Sequence, residues 1–308
     1  MKNNPLISIG LPVVKHNFLD KSINSCLSQI YTNIEIIIVN NAKNNSIKNK
    51  IKSIVLKNKD KRIKYYENKT QIPMIQNWNL TLNYAHGEFF TILCDDDTWE
   101  EDFIAELYNL SLKYPSTNIF HSRVNYINER DEIIKKSRLC PEFETGLDLI
   151  YNRILIKNYR ELFLSDFLVK TKCLKKQNGF IDFPDGWGSD DITWFKIAIN
   201  GGVAYSSKFL YNYRVNDLNV TNMLDISSKI YSINLQLEEI HKILNKDLLK
   251  KNDLEIKKIK KIKNLLRLFA FFKKMNLYKR NYIQRFKLPK FICIIIAVIK
   301  VILQKEKI

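Results

Sequence analysis

Four polar clusters in the sequence combine residue types that could do chemistry: Asn40-Asn41, Asp95-Asp96-Asp97, Gly188-Ser189-Asp190-Asp191 and Tyr213-Arg214. The triple Asp is the most informative. It follows the run Phe89-Phe90-Thr91-Ile92-Leu93, which reads as a buried strand. Three adjacent carboxylates repel one another unless positive charge sits among them, and a hard divalent cation takes carboxylate oxygens well. A strand end so furnished is a candidate metal-and-phosphate site. The structural alternative is an acidic turn that caps the following helix. A separate carboxylate would be free to act as a base, with a guanidinium near leaving phosphate oxygens. That division of labour suits group transfer from a nucleotide-activated donor. The cation and the Arg offset charge on the departing diphosphate, and the carboxylate takes the proton of the attacking hydroxyl.

The elements that would position these clusters can be read from hydrophobic period. Strands are expected over 6–12, 34–39, 63–66 and 88–94, with helices over 18–30, 46–59 and 73–86 between them. Strands alternating with helices argue for a largely parallel sheet. Right-handed crossovers then place the strand ends on one edge, where open α/β sheets bind ligands. A helix over 100–114 is expected to be capped by Thr98 and stopped by Pro115. Residues 118–126 read as a strand, 129–132 as a hairpin turn, 182–191 as a loop, 192–200 as a helix ended by Gly201-Gly202, and 203–213 as a further strand. Helices resume near Ser227.

At 308 residues, with 45% apolar and 12% aromatic content, the chain can build a sizeable core, which excludes global disorder. The formal charge is +18, and residues 246–308 carry 19 Lys or Arg against 4 Asp or Glu, a net of +15, so the first 245 residues hold only +3. The five Cys show no paired spacing, so neither a zinc site nor a disulfide framework is expected. No secretory signal is visible at the start of the sequence.

The ordered set of motifs resembles family 2 glycosyltransferases. It runs from Ile9-Gly10-Leu11-Pro12 through Ser25 to Tyr31, Glu35 to Asn41, Asn77-Trp78-Asn79, Ala85-His86-Gly87-Glu88 and Leu93 to Trp99, and ends at Asp190-Asp191 and Tyr213-Arg214. It covers roughly two thirds of the chain. The resemblance implies an α/β GT-A fold, a Rossmann-like, mostly parallel sheet flanked by helices; the shift in composition near 225–245 places that domain over 1–225 and a basic helical extension over 226–308. It implies metal-dependent, inverting transfer of a sugar from a nucleotide-diphosphate sugar, UDP by default, to a hydroxyl acceptor.

By position, Pro12 would line the nucleobase pocket, Asn40 or Asn41 would contact the base, and Asn77 could lie near the donor. Cys94 stands where the family commonly has an acid. That shift points to Asp96 and Asp97 for Mn²⁺ or Mg²⁺ and to Asp95 for the ribose or donor sugar. Asp191, with Asp190 before it, matches the family's base motif, and Arg214 a residue near the diphosphate. Trp187 and Gly188 beside the base could receive the acceptor.

Structural alternatives stand beside several of these roles. The two acids could cap a helix, Trp187 could be core, Asn77 could pack a helix and Arg214 could pair with a carboxylate. The Asn pair in place of Asp keeps open a catalytically inactive scaffold or membrane-associated binding protein.

The tail suggests a membrane surface. Residues 254–272 mix apolar positions at helical spacing with many Lys, and 291–299 are nine consecutive apolar residues. Nine is far short of the ~20 that span a bilayer. A basic interfacial helix on anionic lipid fits, and packing back on the domain is the alternative. No nucleic-acid motif accompanies the Lys, so nucleic acid is not expected as a partner. The expected setting is cytoplasmic, peripheral at the inner face of the cell membrane, with a glycan or lipid-linked glycan acceptor in surface-glycan assembly.

Overall fold

A computed structural model describes residues 4–154, 161–216, 225–246 and 252–286. The first half alternates strand and helix: β1 (Ile7–Val13), α1 (Leu19–Leu27), β2 (Ile34–Asn40), α2 (Asn45–Lys57), β3 (Ile63–Glu67), α3 (Met74–Asn83) and β4 (Phe89–Ile92). Then come β5 (Thr98–Trp99), α4 (Phe103–Lys113), β6 (Ile119–Ile127), β7 (Ile133–Lys136), β8 (Phe143–Glu144), α5 (Gly146–Ile154), β9 (Phe167–Lys170) and α6 (Thr171–Lys176). After a single 3₁₀ turn at Pro184–Gly186 follow α7 (Ser189–Ala198), β10 (Val203–Arg214), α8 (Ile226–Asn245) and α9 (Asp253–Phe286).

The sheet order is β3-β2-β1-β4-β9-β6-β10-β5, with β7 beside β6 and β8 beside β10. Strands β3, β2, β1 and β4 are parallel, and β1 is central: Ile9 faces Ile36 on one side and Thr91 on the other. Strand β9 runs antiparallel to β4 and β6, which restores the common direction in β6 and β10. The C-terminal ends of β1, β2, β4, β6 and β10 therefore share one edge.

Side-chain alternation along the strands sorts two cores. Ile7, Ile9, Leu11, Ile36 and Ile38 pack on one face with Leu19 and Ile23 of α1, Ile51 of α2 and Phe103 and Leu107 of α4. Ile37, Val39, Phe90 and Ile92 face the other way, toward α3, α5 and α7. The basic extension joins this second face. Ile240, Ile243 and Leu244 of α8, and Ile259, Ile262, Leu266 and Phe269 of α9, are buried in the same core. The apolar run 291–299 lies outside the described residues. Among the described residues no helix is long and apolar enough to cross a membrane.

Two local expectations need correction. Thr98 does not cap α4: it lies in β5, paired with Asn212 of β10. The helix starts at Phe103 with no side-chain cap. Helix α7 starts at Ser189 rather than after Asp191, so both acids sit inside its first turn.

Close approach of α3 to β1 sets the floor of this edge. A Cβ on Gly10 would stand 2.5 Å from Thr81 Oγ1 and 2.9 Å from Phe90 Cζ. Gly10→Ala is therefore expected to cost about 1–3 kcal/mol through overpacking. Urea unfolding should show a lower midpoint at unchanged slope; an unchanged midpoint would contradict the packing argument.

Candidate active site

A cleft of about 410 Å³ opens at the shared strand edge, and it gathers most of the polar clusters. Its walls include Pro12 at the end of β1, Asn41 after β2, Asn77 of α3, Asp95, Asp96 and Asp97 after β4, and Trp187, Gly188, Asp190 and Asp191 at the start of α7. Residues 94–97 and 190–191 are far apart in sequence and share one cavity.

The three acids have different environments. Asp95 is buried, and its Oδ2 accepts the backbone N–H of Val14 and of Lys15, both at 2.7 Å. Burial and the neighbouring Asp96 push its carboxyl up to about 6, against the two N–H donors. Asp97 is buried as well. Tyr211 donates its hydroxyl to Oδ2 at 2.5 Å, and the Arg214 N–H donates to Oδ1 at 2.8 Å. Burial, then Asp96, raise Asp97 well above the usual carboxylate range. Asp96 is half-buried, the least buried of the three, and its carboxylate lies at the cleft with Lys15 Nζ at 3.9 Å. Cys94 also lines the cleft, and burial keeps its thiol protonated.

At the other end of the cavity Asp190 and Asp191 are adjacent. Gly188 precedes α7 with φ 80, a left-handed conformation that suits glycine. That turn aims the first N–H groups of α7, and with them its positive dipole end, toward the two acids. Asp191 is buried and held by Arg153 of α5, whose Nη2 donates to Oδ2 at 2.8 Å while Nε lies 3.3 Å from both oxygens. Asp190 is half-buried. Burial and the Asp191 charge push it up to about 7.

Two expected contacts do not reach the cleft. Arg214 is fully buried: Nε donates to the Asp96 carbonyl at 2.8 Å, Nη1 to the Asn128 carbonyl at 2.7 Å, and Nη2 pairs with Asp131 at 2.5 Å. It stacks on Phe18, and so braces the turn after β4 from behind. Asn40 is buried toward α2, where its amide donates to the Lys48 carbonyl and to Tyr65. Asn41 does line the cleft. Its Oδ1 accepts from the Ile72 N–H and from Asn68, and Asn68 also donates to Asn77.

Three cations of the wall were not expected from the sequence: Lys15, Arg153 and Lys273 of α9. The latter two had a signal. Arg153 falls on the stripe Leu149, Ile150, Ile154 of α5, and Lys273 continues the stripe Ile262, Leu266, Phe269 of α9. A lone charge on an apolar helix stripe is costly unless it has a polar destination.

The sequence model for glycosyl transferase family 2 matches residues 8–176, more than half of the chain. The chain belongs to glycosyltransferase family 2. Among curated relatives, an uncharacterized glycosyltransferase of Haemophilus influenzae is 24% identical over 256 residues, covering 80% of this chain and 76% of its own. The Escherichia coli UDP-Glc:alpha-D-GlcNAc-diphosphoundecaprenol beta-1,3-glucosyltransferase WfgD is 28% identical over 151 residues, covering 49% of this chain and 55% of its own. Among solved structures, Staphylococcus aureus TarS 1–349 in complex with UDP-GlcNAc superposes with a TM-score of 0.66 at 16% identity, over 96% of this chain and 80% of that one. The glycosyltransferase thus has the GT-A architecture.

The raised Asp190 carboxyl has a measurable sign. An acid whose proton is held more tightly in the folded state gives stability that is fully present below its unfolded pKa and is lost as pH rises from there through the folded pKa. The stability of the glycosyltransferase is therefore expected to fall between about pH 4 and pH 7, and Asp190→Asn should flatten that slope. Urea midpoints of both proteins across this range check it. Parallel slopes would remove Asp190 as the source.

Proposed function

We propose that this family 2 glycosyltransferase moves a sugar from a nucleotide-diphosphate sugar, by default a UDP-sugar, to a hydroxyl acceptor with inversion. The observation that carries the reading is that one cleft holds both the half-buried Asp96 carboxylate and the Asp190-Asp191 pair. A diphosphate site and a proton acceptor are the two parts that single-displacement transfer requires. The names of the relatives agree with it, since WfgD uses UDP-Glc and TarS 1–349 was solved with UDP-GlcNAc.

Pro12, Asn41 and Asn77 would line the nucleotide end, with Asp95 shaping it through the backbone of Val14 and Lys15. Among the described residues no three His, Cys, Asp or Glu side chains form a metal cluster. Mn²⁺ or Mg²⁺ is commonly held by one or two carboxylates together with substrate phosphates, and the Asp96 carboxylate at the cleft wall fits that demand. The ion would stabilise charge on the leaving diphosphate. Asp97, whose oxygens both accept hydrogen bonds, would act by fixing the turn that presents Asp96. Asp191, oriented by Arg153, would take the acceptor proton, while Asp190 shares the charge of the pair. Trp187 would stack on the acceptor sugar.

The proposed setting is the cytoplasmic face of the membrane, with a glycan or lipid-linked glycan acceptor. Its support is the WfgD acceptor and the exposed basic face of α9, where Lys257, Lys260, Lys261 and Arg267 lie beside exposed Leu268 and Phe272. Such a face suits anionic lipid.

Two measurements test this reading. UDP with Mn²⁺ should raise the melting temperature, and Asp96→Asn should abolish the Mn²⁺-dependent part. Asp191→Asn should lower transfer by about 10²–10⁴-fold, the usual worth of a general base, with nucleotide binding within about threefold of the parent. If no nucleotide diphosphate shifts the melting temperature, the donor assignment fails.

A further inference from the structure

Among the described residues three cations line the cleft, and two of them face a carboxylate. Lys15 stands against Asp96, and Arg153 is paired with Asp191. The third, Lys273, has no carboxylate within 4.0 Å among the described residues, and its recorded polar contact is Gln236 Oε1 at 3.4 Å. An ammonium has three donors, so this one enters the cavity with most of its hydrogen-bonding capacity unspent.

Its position is built. Gln236 is buried on α8, and its Nε2 donates to the Trp187 carbonyl at 2.8 Å. It packs so closely on Gly188 that a Cβ there would meet it at 2.3 Å. Phe269, one turn before Lys273, lies under the ammonium at 4.8 Å. The adjacent Lys274 turns away and donates to Asn234 Oδ1 at 2.8 Å. Among the described residues of the basic extension, Lys273 is the lysine that α9 delivers into the cleft.

The neighbourhood fixes which ligand it would meet. The charged groups that act on Lys273 are Asp191, Arg153 and Asp190, which belong to the base end of the cavity. None of the three acids after β4 acts on it. Burial lowers its proton affinity to a pKa of about 8, with the two acids opposing that, so the cation is held at neutral pH. A half-buried cation whose polar side-chain contact is a long bond to a neutral amide, set beside the proton acceptor, has the chemistry of an anion receptor.

We infer that Lys273 forms an anion site at the acceptor end of the cleft, and that the acceptor carries a phosphate or carboxylate close to the hydroxyl it presents to Asp191. This deepens the proposed transfer reaction and rests on it for the word acceptor. Through this residue the C-terminal helix becomes part of the substrate site as well as part of the core.

The test is calorimetric titration of the full chain saturated with UDP and Mn²⁺, so that the donor end is occupied. Glycerol 3-phosphate, glycerate and glycerol are the probes: two anions that separate phosphate from carboxylate, and their uncharged counterpart. At least one anion should bind, glycerol should not, and Lys273→Gln should weaken the anion at least tenfold at an unchanged melting temperature. Lys273→Arg should keep most of the affinity. Equal binding in the parent and Lys273→Gln, binding of glycerol as tight as the anions, or no anion binding to the UDP-loaded parent would each overturn the inference. If UDP itself does not bind, the donor reading is the one that fails, and the same titrations without UDP still decide the role of Lys273.

Discussion

Burial of Asp95 and Asp97 organises the ligand edge of the sheet. A carboxylate removed from water is costly until its oxygens are hydrogen-bonded. Asp95 meets that cost with the two N–H groups that follow β1. Asp97 meets it with the last N–H of β10 and the hydroxyl of Tyr211. The segment after β4 is thereby tied to β1 on one side and to β10 on the other. Asp96, between them, has no choice but to face outward. The position of this less buried acid is a consequence of the two buried ones. The Arg214 guanidinium completes the arrangement from behind by gripping the Asp96 carbonyl. It acts on the site through the backbone rather than by touching a ligand.

The same logic, a buried charge that must find a partner, governs the other end of the cleft. Asp191 is placed by Arg153, and Arg153 is affordable on an apolar face of α5 because Asp191 receives it. Lys273 is the exception, since its recorded partner is a neutral amide. The C-terminal helices thus do two things at once. Ile240, Leu244, Ile262 and Leu266 close the second core, and Gln236 and Lys273 finish the wall of the cavity. Their outward Lys remain in solvent, where they face whatever the protein approaches.

Much of the architecture was legible because side-chain period reports burial directly. The strand–helix alternation through β4 follows from runs such as Ile34 to Val39 and Phe89 to Leu93, and the boundaries fall within a few residues of expectation. What period does not report is where a polar residue at a strand end will point. Tyr211 and Tyr213 line the cleft, so Arg214, one residue on, takes the opposite face. Asn40 continues the face of Ile36 and Ile38 and goes to α2, while Asn41 enters the cleft. Strict alternation applied to these pairs would have separated them. The start of α7 was misjudged for another reason. Gly188 and Trp187 read as loop formers, and the left-handed turn at Gly188 is what allows a helix to begin immediately after them.

Charge count was the least useful guide to the extension. Nineteen cations among residues 246–308 suggest one diffuse electrostatic role, yet their environments differ. Lys258 pairs with Asp148 of α5, Lys263 donates to Asn245, and Lys274 is turned onto Asn234. These bonds fix the axial position of α9 against α5 and α8. That position determines which residue of its inner stripe falls at the cavity. A helix held loosely by lipid or by solvent could not deliver one particular side chain there, because a shift of one residue along a helix turns each side chain by about 100°. The packing of α9 on the sheet is therefore what makes Lys273 a component of the cleft, and the same packing leaves the opposite, basic stripe outward.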